Sequence, residues 1–241
     1  MYDCYKYEEI QLIHIKDDKL FYDTHNHSST YTLGIVLEGE LYLRKGEGPF
    51  KIDAKEGFLI MPYEPHSMKV DVSCEMISIS IKKEEIEKSP LSIVNQKVLH
   101  LLKETGVEGI EECKDRISDL LREIYLHRPM KVFDTAIRET LTYYNQSQEN
   151  ALRIDEIAQK VNYSKFHLIR KFNQEVGLTP HKFYMQARVR KAQTLLETQH
   201  NIAKVAFLTG FCDESHLIRV FKHIVGITPS EYIHAIKQIE R

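Results

Sequence analysis

One stretch of this 241-residue chain occurs twice, and any fold assigned to it must accommodate both copies. The first runs from Ile154 to Pro180 and the second from Ile202 to Pro229. Each contains His-Leu-Ile-Arg-x-Phe, at His167–Phe172 and His216–Phe221, and each closes with Val-Gly-[Leu/Ile]-Thr-Pro, at Val176–Pro180 and Val225–Pro229. The offset is 49 residues over these motifs and 48 upstream, where Ala158 matches Ala206 and Tyr163 matches Phe211, so the second copy has one extra residue in its turn. Two copies are too few for a stacked array, which needs about three or more to bury its faces. The chain therefore carries a duplicated motif.

Within a copy, Ile154, Ile157, Ala158 and Val161 make a short apolar face, and Ala158 is small enough for a second helix to cross close above it. Asn162, and Gly210 in the second copy, stand where a tight turn needs a residue tolerant of positive φ. Ser164 and Asp213 are good N-caps for the helices that follow. A short helix, a turn and a second helix make a helix-turn-helix.

At about 100° per residue the second helix separates into two sides. Leu168 and Phe172 define the buried one; Phe166, Ile169, Arg170 and Asn173 stand opposite. In the second copy that opposite side carries Ser215, Ile218, Arg219 and Lys222, facing away from Leu217 and Phe221. An apolar side chain on a solvent-facing helix side is hard to explain by solubility. In a DNA major groove it meets the thymine methyl, and an arginine bridges O6 and N7 of guanine. The bland alternative is a protein–protein or intradomain contact, and recurrence of the same face in both copies argues against it.

Charge points the same way. Residues 1–130 hold 17 Lys+Arg against 24 Asp+Glu, a net of -7, whereas residues 131–241 hold 16 against 11, a net of +5. A basic half favours nucleic acid as a partner. No apolar run approaches the ~18 residues of a membrane span. The start, MYDCYKYEEI, lacks the apolar stretch of an export signal, and the four cysteines are scattered with no C-x-x-C pair. The expectation is a cytoplasmic protein with free thiols and no membrane partner.

Residues 1–85 read as β, in short β-branched or aromatic runs separated by Gly, Pro, Asp and Asn. TLGIVLEGELYLR reads as a hairpin turning at Glu38–Glu40. Many short strands suggest a sandwich or small barrel. Lys82–Pro90 reads as a linker or a helix start. From Ser92 to Arg128 the period turns helical, with Ile110, Cys113, Ile117, Leu120, Leu121 and Ile124 in one stripe. That stripe either packs on its own domain or forms a seam between subunits. Pro129 is the expected break, with a boundary near Met130, and Val132–Tyr144 forms another amphipathic helix ended by Asn145–Asn150. His181–Glu197 is read as a helix joining the two copies; its Arg188, Arg190 and Lys191 either contact phosphates or form a solvated basic face.

His25-x-His27, Gly39, the Glu56–Gly57 turn and the string L-I-M-P-Y-E-P-H ending at His66 resemble the cupin-like sensor domain of AraC-type regulators. His25 and His27, two apart on a strand, point to one face. With His66 they make a candidate site for a divalent metal or a small-molecule effector; the alternative is that they pack at a barrel mouth. Metal-bearing cupins place a glutamate about five residues after the second histidine, and Thr32 stands there.

Residues 131–241 are similar to the DNA-binding domain of the AraC/XylS family. The residues carrying the likeness are IDEIAQKVNYSKFHLIRKF, then ARVRKAQTLL, then V-A-x-x-x-G-F-x-D-E-S-H-L-I-R-V-F-K, and Gly226–Tyr232. The resemblance implies a two-lobed all-α domain whose third and sixth helices enter adjacent major grooves. It places Phe166, Ile169 and Arg170, then Glu214, Ser215, Ile218 and Arg219, against bases. Glu214 is acidic where a neutral polar residue is common, so it either reads a cytosine amino group or rejects a phosphate. Ser164, Lys165, Asn173 and Lys222 complete the expected DNA-contacting set.

The expected protein is thus an α+β chain: a cupin-like β domain over residues 1–90, a helical dimerisation segment over 91–130, and a double helix-turn-helix domain over 131–241. Its expected partners are double-stranded DNA, an effector and a second copy of itself, with RNA polymerase a further candidate. It is not expected to be an enzyme. The rival reading is a cupin metalloenzyme with an appended DNA-binding tail.

Overall fold

The apolar runs of the first 82 residues become strands β1 (Tyr2–Tyr7), β2 (Ile10–Asp17), β3 (Phe21–His25), β4 (Thr30–Lys45), β5 (Gly48–Asp53), β6 (Gly57–Ile60), β7 (His66–Lys69) and β8 (Cys74–Lys82). This computed structural model describes residues 1–17, 19–46, 48–127, 132–146 and 153–239. The chain divides into two units, one of Met1–Phe21, His27–Met130 and Ala235–Arg241, the other of Tyr22–Asn26 and Lys131–His234. The expected break at Pro129, the boundary at Met130 and residues 147–150 of the polar string lie outside the described residues.

In the β unit the strands follow the order β7-β4-β8-β2-β1, all antiparallel, and β5 and β6 also pair with β4. A short strand near the C-terminus, β9 (Ile236–Gln238), adds to β1 in parallel. Nothing in the sequence singled that strand out. Strand β4 is the spine: Thr32–Ile35 pairs with β6, and Glu40–Lys45 pairs with β5 on one side and β7 on the other. The sheet therefore curls about it into a half-barrel.

The hairpin expected at Glu38–Glu40 is instead a β-bulge inside that single strand, with a register shift between Val36 and Glu38 against β8. Gly39 sits at φ +79, and a Cβ there would lie 2.1 Å from the backbone oxygen of Ser73. Close passage of the neighbouring chain turns the Gly signal into a bend that keeps pairing on both sides. Gly39→Ala is expected to destabilise the protein by about 2–4 kcal/mol, from left-handed strain plus the contact. Urea denaturation reads this, and a loss below about 0.5 kcal/mol would refute the steric account.

Both faces of the sheet are covered, which is why β4 reads as the near-continuous apolar run YTLGIV. Leu41, Leu43, Ile60, Met68 and Met76 are buried but stand outside the core that the sheet shares with the helices. Tyr5, Ile10, Leu12, Leu33, Ile35, Ile77, Ile79 and Ile81 share one core with the helices that follow. Those are α1 (Lys83–Lys88), α2 (Leu91–Thr105) and, after a 3-10 turn at Ile110–Cys113, α3 (Lys114–Leu126). Val94, Val98, Leu101 and Leu102 of α2 meet Ile117, Leu120, Leu121 and Ile124 of α3 in that core. Between the two options left open for the apolar stripe, it packs on its own unit. Each fully buried Leu or Ile contributes about 1.5–3 kcal/mol, so these helices are integral to the β unit. Cys4, Cys74 and Cys113 are buried free thiols and Cys212 is an exposed one.

The second unit is helical: α4 (Thr135–Gln146), α5 (Ile154–Lys160), α6 (Lys165–Val176), α7 (Pro180–Leu196), α8 (Ile202–Leu208), α9 (Glu214–Val225) and α10 (Pro229–Ala235). Among the described residues no helix is long and apolar enough to cross a membrane. Its first lobe centres on aromatics, with Phe172 5.6 Å from Phe183 and 6.1 Å from Tyr144 between ring centroids. In the second lobe Phe221 stands 5.4 Å from Tyr232.

Candidate nucleic-acid interface

The two copies fold alike down to single hydrogen bonds. Asn162 (φ 57) and Gly210 (φ 75) both take the left-handed conformation. The next amide then reaches back to the small residue of the preceding helix, Tyr163 N to Ala158 O at 2.8 Å and Phe211 N to Ala206 O at 2.9 Å. Ser164 Oγ accepts from His167 N at 3.3 Å, and Asp213 Oδ1 accepts from His216 N at 2.7 Å, which starts α6 and α9. Gly177 and Gly226, both left-handed, end them. Cys212 is the extra residue of the second turn.

Leu168 and Phe172, and Leu217 and Phe221, are buried as the helical projection requires. On the other side Phe166 is 81% exposed. Arg170 and Asn173 are exposed beside it, with Ile169 half-buried. Glu214, Ser215, Arg219 and Lys222 are exposed on α9, and Ile218 is half-buried there. Among the described residues Arg170, Arg219, Lys222 and Glu214 have no ion pair, although Lys222 stands near enough to Glu231 to help lower that carboxyl's pKa, after the hydrogen bonds from Thr228. Lys165 differs, bridging to Asp155 on α5 at 3.0 Å. Lys171 turns inward to Asp134 at 2.8 Å; that hydrogen bond raises the lysine pKa and lowers the carboxyl's, which takes both out of the face.

Arg188 is not available to phosphates. Its Nε donates to Thr209 O at 2.7 Å and its guanidinium lies 4.2 Å over the Phe211 ring. Burial holds its pKa below the ordinary arginine value. The residue braces the turn of the second copy from α7, a role hidden in the sequence by its place in a basic run. Arg190 donates to Asn26 O, and Lys191 is exposed.

A contact that sequence reading missed comes from the segment Tyr22–Asn26. Asn26 Nδ2 donates to Val176 O, at the end of α6, at 3.0 Å. Tyr22 OH donates to Val225 O, at the end of α9, at 3.2 Å. These carbonyls are equivalent in the two copies. Asp23 pairs with Lys182 at 2.7 Å, and this hydrogen bond lowers its carboxyl pKa. No local pattern marks these residues, because their partners are about 150–200 positions away.

The histidines stand as follows. His25 ends β3 within this segment; burial pushes its pKa down to about 4, and nearby Arg190 and Lys182 add to the shift. Its Nδ1 meets Asp23 O at 2.8 Å. His27 lies beyond the strand's end, in a loop of the β unit, so the shared-strand geometry expected for the pair does not hold. Its ring is 5.1 Å from that of buried His66, whose Nδ1 meets Glu64 O at 3.0 Å. Nδ1 bonded to a carbonyl leaves Nε2 as the acceptor, the tautomer a metal or a donor-bearing ligand requires. Thr32 is buried and hydrogen-bonds Ser80 at 3.0 Å across the sheet, a structural role.

Residues 10–157 match the family profile described as AraC-like ligand binding domain, and residues 157–235 match that of a helix-turn-helix domain. The HTH-type transcriptional regulator YbfI of Bacillus subtilis is 23% identical over 216 residues, which are 78% of this chain and 78% of YbfI. The MmsAB operon regulatory protein of Pseudomonas aeruginosa is 25% identical over 126 residues, 52% of this chain and 41% of that protein, so the chain spans less than half of that relative. The fold is that of ToxT from Vibrio cholerae, with a TM-score of 0.62 at 16% identity over 95% of this chain and 98% of ToxT. With a ligand-binding profile across more than half its length and a helix-turn-helix profile on the rest, the chain belongs to the AraC family of transcription regulators.

Proposed function

We propose that this protein binds specific duplex DNA through α6 and α9 and regulates transcription there in response to a small molecule held by its β unit. The observation that carries this is the repeated face: an apolar side chain beside an arginine without an ion pair, at equivalent positions on two helices with the same caps. Phe166, Ile169 and Arg170 read one half-site, and Glu214, Ser215, Ile218 and Arg219 the other, with Ser164, Lys165, Asn173 and Lys222 at the flanks. The 17 residues of α7 span about 25 Å at a rise of 1.5 Å per residue. Successive major-groove faces lie about 34 Å apart, so helix tilt or DNA bending takes up the difference.

On this reading residues 1–90 sense the signal, residues 91–130 carry the helices of the same half, and residues 131–241 bind DNA. The protein acts in the cytoplasm as a homodimer and meets RNA polymerase at the promoter. His25, His27 and His66 hold part of the effector or a divalent metal. That the relatives are regulators supports this reading over the metalloenzyme.

Selection of bound duplexes from a random pool by the full chain tests the proposal. Enrichment of two short motifs about 10 base pairs apart is expected. Retention of DNA with no enriched sequence would overturn it. Metal analysis of the same preparation, beside a form with all three histidines changed to alanine, decides the metal option.

A further inference from the structure

The sheet face that meets α2 and α3 is apolar along Tyr5, Leu12, Ile35 and Ile77. Two residues further along the strand it turns polar at Asp3, His14 and Glu75, and on β4 Leu37 is followed by Glu38 after the bulge. The period of two in a strand keeps these on the same face as the core. With the connection Thr105–Cys113 above them they line a cavity of about 590 Å³, inside the range of small-molecule sites, about 300–1,000 Å³. All of its lining belongs to the β unit. None of His25, His27 and His66 lines it.

The charges in it do not cancel. Glu75 pairs with Lys16 at 2.6 Å, Glu112 with Lys55 at 2.6 Å, and Asp3 with Lys237 at 2.8 Å. Glu38 and Glu108 are left without an ion pair among the described residues. Both stand close enough to Lys16 to help raise its pKa, after the hydrogen bond and charge of Glu75. The Met1 ammonium, which donates to Lys16 O at 2.6 Å, also lines the cavity; five carboxylates (Asp3, Glu38, Glu75, Glu108 and Glu112) thus meet three ammonium groups (Met1, Lys16 and Lys55), an excess of negative charge that favours a cation.

His14 adds an independent observation. It is only 5% exposed and its Nε2 lies 2.8 Å from Glu75 Oε1. A carboxylate accepts only, so Nε2–H donates and Nδ1 of the neutral ring is an acceptor. Nδ1 has no hydrogen-bond partner among the described residues. That nitrogen is not sealed from solvent, so a donor on a ligand entering the cavity can replace the water that it meets. Acceptors thus predominate among the open positions of the cavity, and the intervening walls, Leu37 and Val107, are apolar.

We propose that this cavity binds a small organic cation, an ammonium group on a short apolar body. The site is new relative to the effector reading, and names the chemical class of ligand that the β unit takes. Calorimetric titration of the full chain with n-butylamine and 1,4-diaminobutane is expected to give saturable one-to-one binding. Butyrate, n-butanol and calcium chloride are expected to give none. In the Glu38→Gln/Glu108→Gln double variant, both of whose positions are exposed, the amines should bind at least about tenfold more weakly, equivalent to about 1.4 kcal/mol. Absence of amine binding, equal binding of n-butanol, calcium binding in place of amine, or unchanged amine affinity in the double variant each overturns the proposal. Operator affinity with and without amine is read separately: binding with no change in operator affinity would sink the effector role and leave the site standing.

Discussion

Arg170→Ala combined with Arg219→Ala is expected to abolish discrimination between a selected operator and random DNA. A bidentate arginine–guanine contact is worth about 1–3 kcal/mol of discrimination. Two in separate half-sites sum to about 2–6 kcal/mol, a loss on the order of a thousandfold. Both side chains are exposed and neither is ion-paired within the described fold, so the substitutions remove no packing. The helices should keep their circular dichroism and melting temperature. Lys165→Ala is the contrasting control. Its point charge, now held by Asp155, suits a phosphate, so its loss should weaken all sequences alike and flatten the salt dependence by about one counterion. Gel-shift titrations across a salt series separate the two patterns. Equal losses on operator and random DNA for the arginine pair would contradict base readout.

The second large effect concerns stability. Phe172→Ala is expected to cost about 3–5 kcal/mol, a large loss against the stability of a typical domain, about 5–15 kcal/mol. The ring is fully buried and packs edge-on against Tyr144 and Phe183. Tyr144 and Phe183 also contact each other, which limits how far either can move into the space. Phe166→Ala removes the same ring six residues earlier from a site 81% exposed. It should leave stability within about 0.5 kcal/mol and lower DNA affinity instead. Urea melts of the two variants make the comparison. A Phe172→Ala loss below about 1 kcal/mol would mean that the first lobe is not built around that ring.

What the sequence made legible were features whose cause is local. The caps at Ser164 and Asp213, the left-handed turns at Asn162 and Gly210, and the division of α6 into Leu168/Phe172 and Phe166/Arg170 sides all depend on neighbours within one or two turns. Features with distant causes were misread or missed. The Glu38-Gly39-Glu40 string fits a hairpin turn as well as a bulge; the deciding atom is the Ser73 oxygen, thirty-odd residues away. Arg188 reads as one basic residue among several until the Thr209 carbonyl is placed against it. His25 and His27 look like a strand pair because their spacing is two, yet the strand ends between them. The apolar stripe of α3 was evident, but periodicity cannot name the surface that covers it. The candidate amine cavity was invisible for the same reason: its acceptors come from four strands and a connection, and only alignment of the strands gathers them.

The five residues from Tyr22 to Asn26 alter the meaning of the duplication. Two reading heads joined only by α7 would be free to adjust one at a time to the spacing of an operator. Here one short yoke grips the trailing end of each, through Val176 on one and Val225 on the other. The chain enters the yoke from Phe21 and leaves it at His27, both residues of the β unit. One five-residue stretch of backbone therefore holds the ends of both helices, so the two copies are expected to shift with it together and not one at a time.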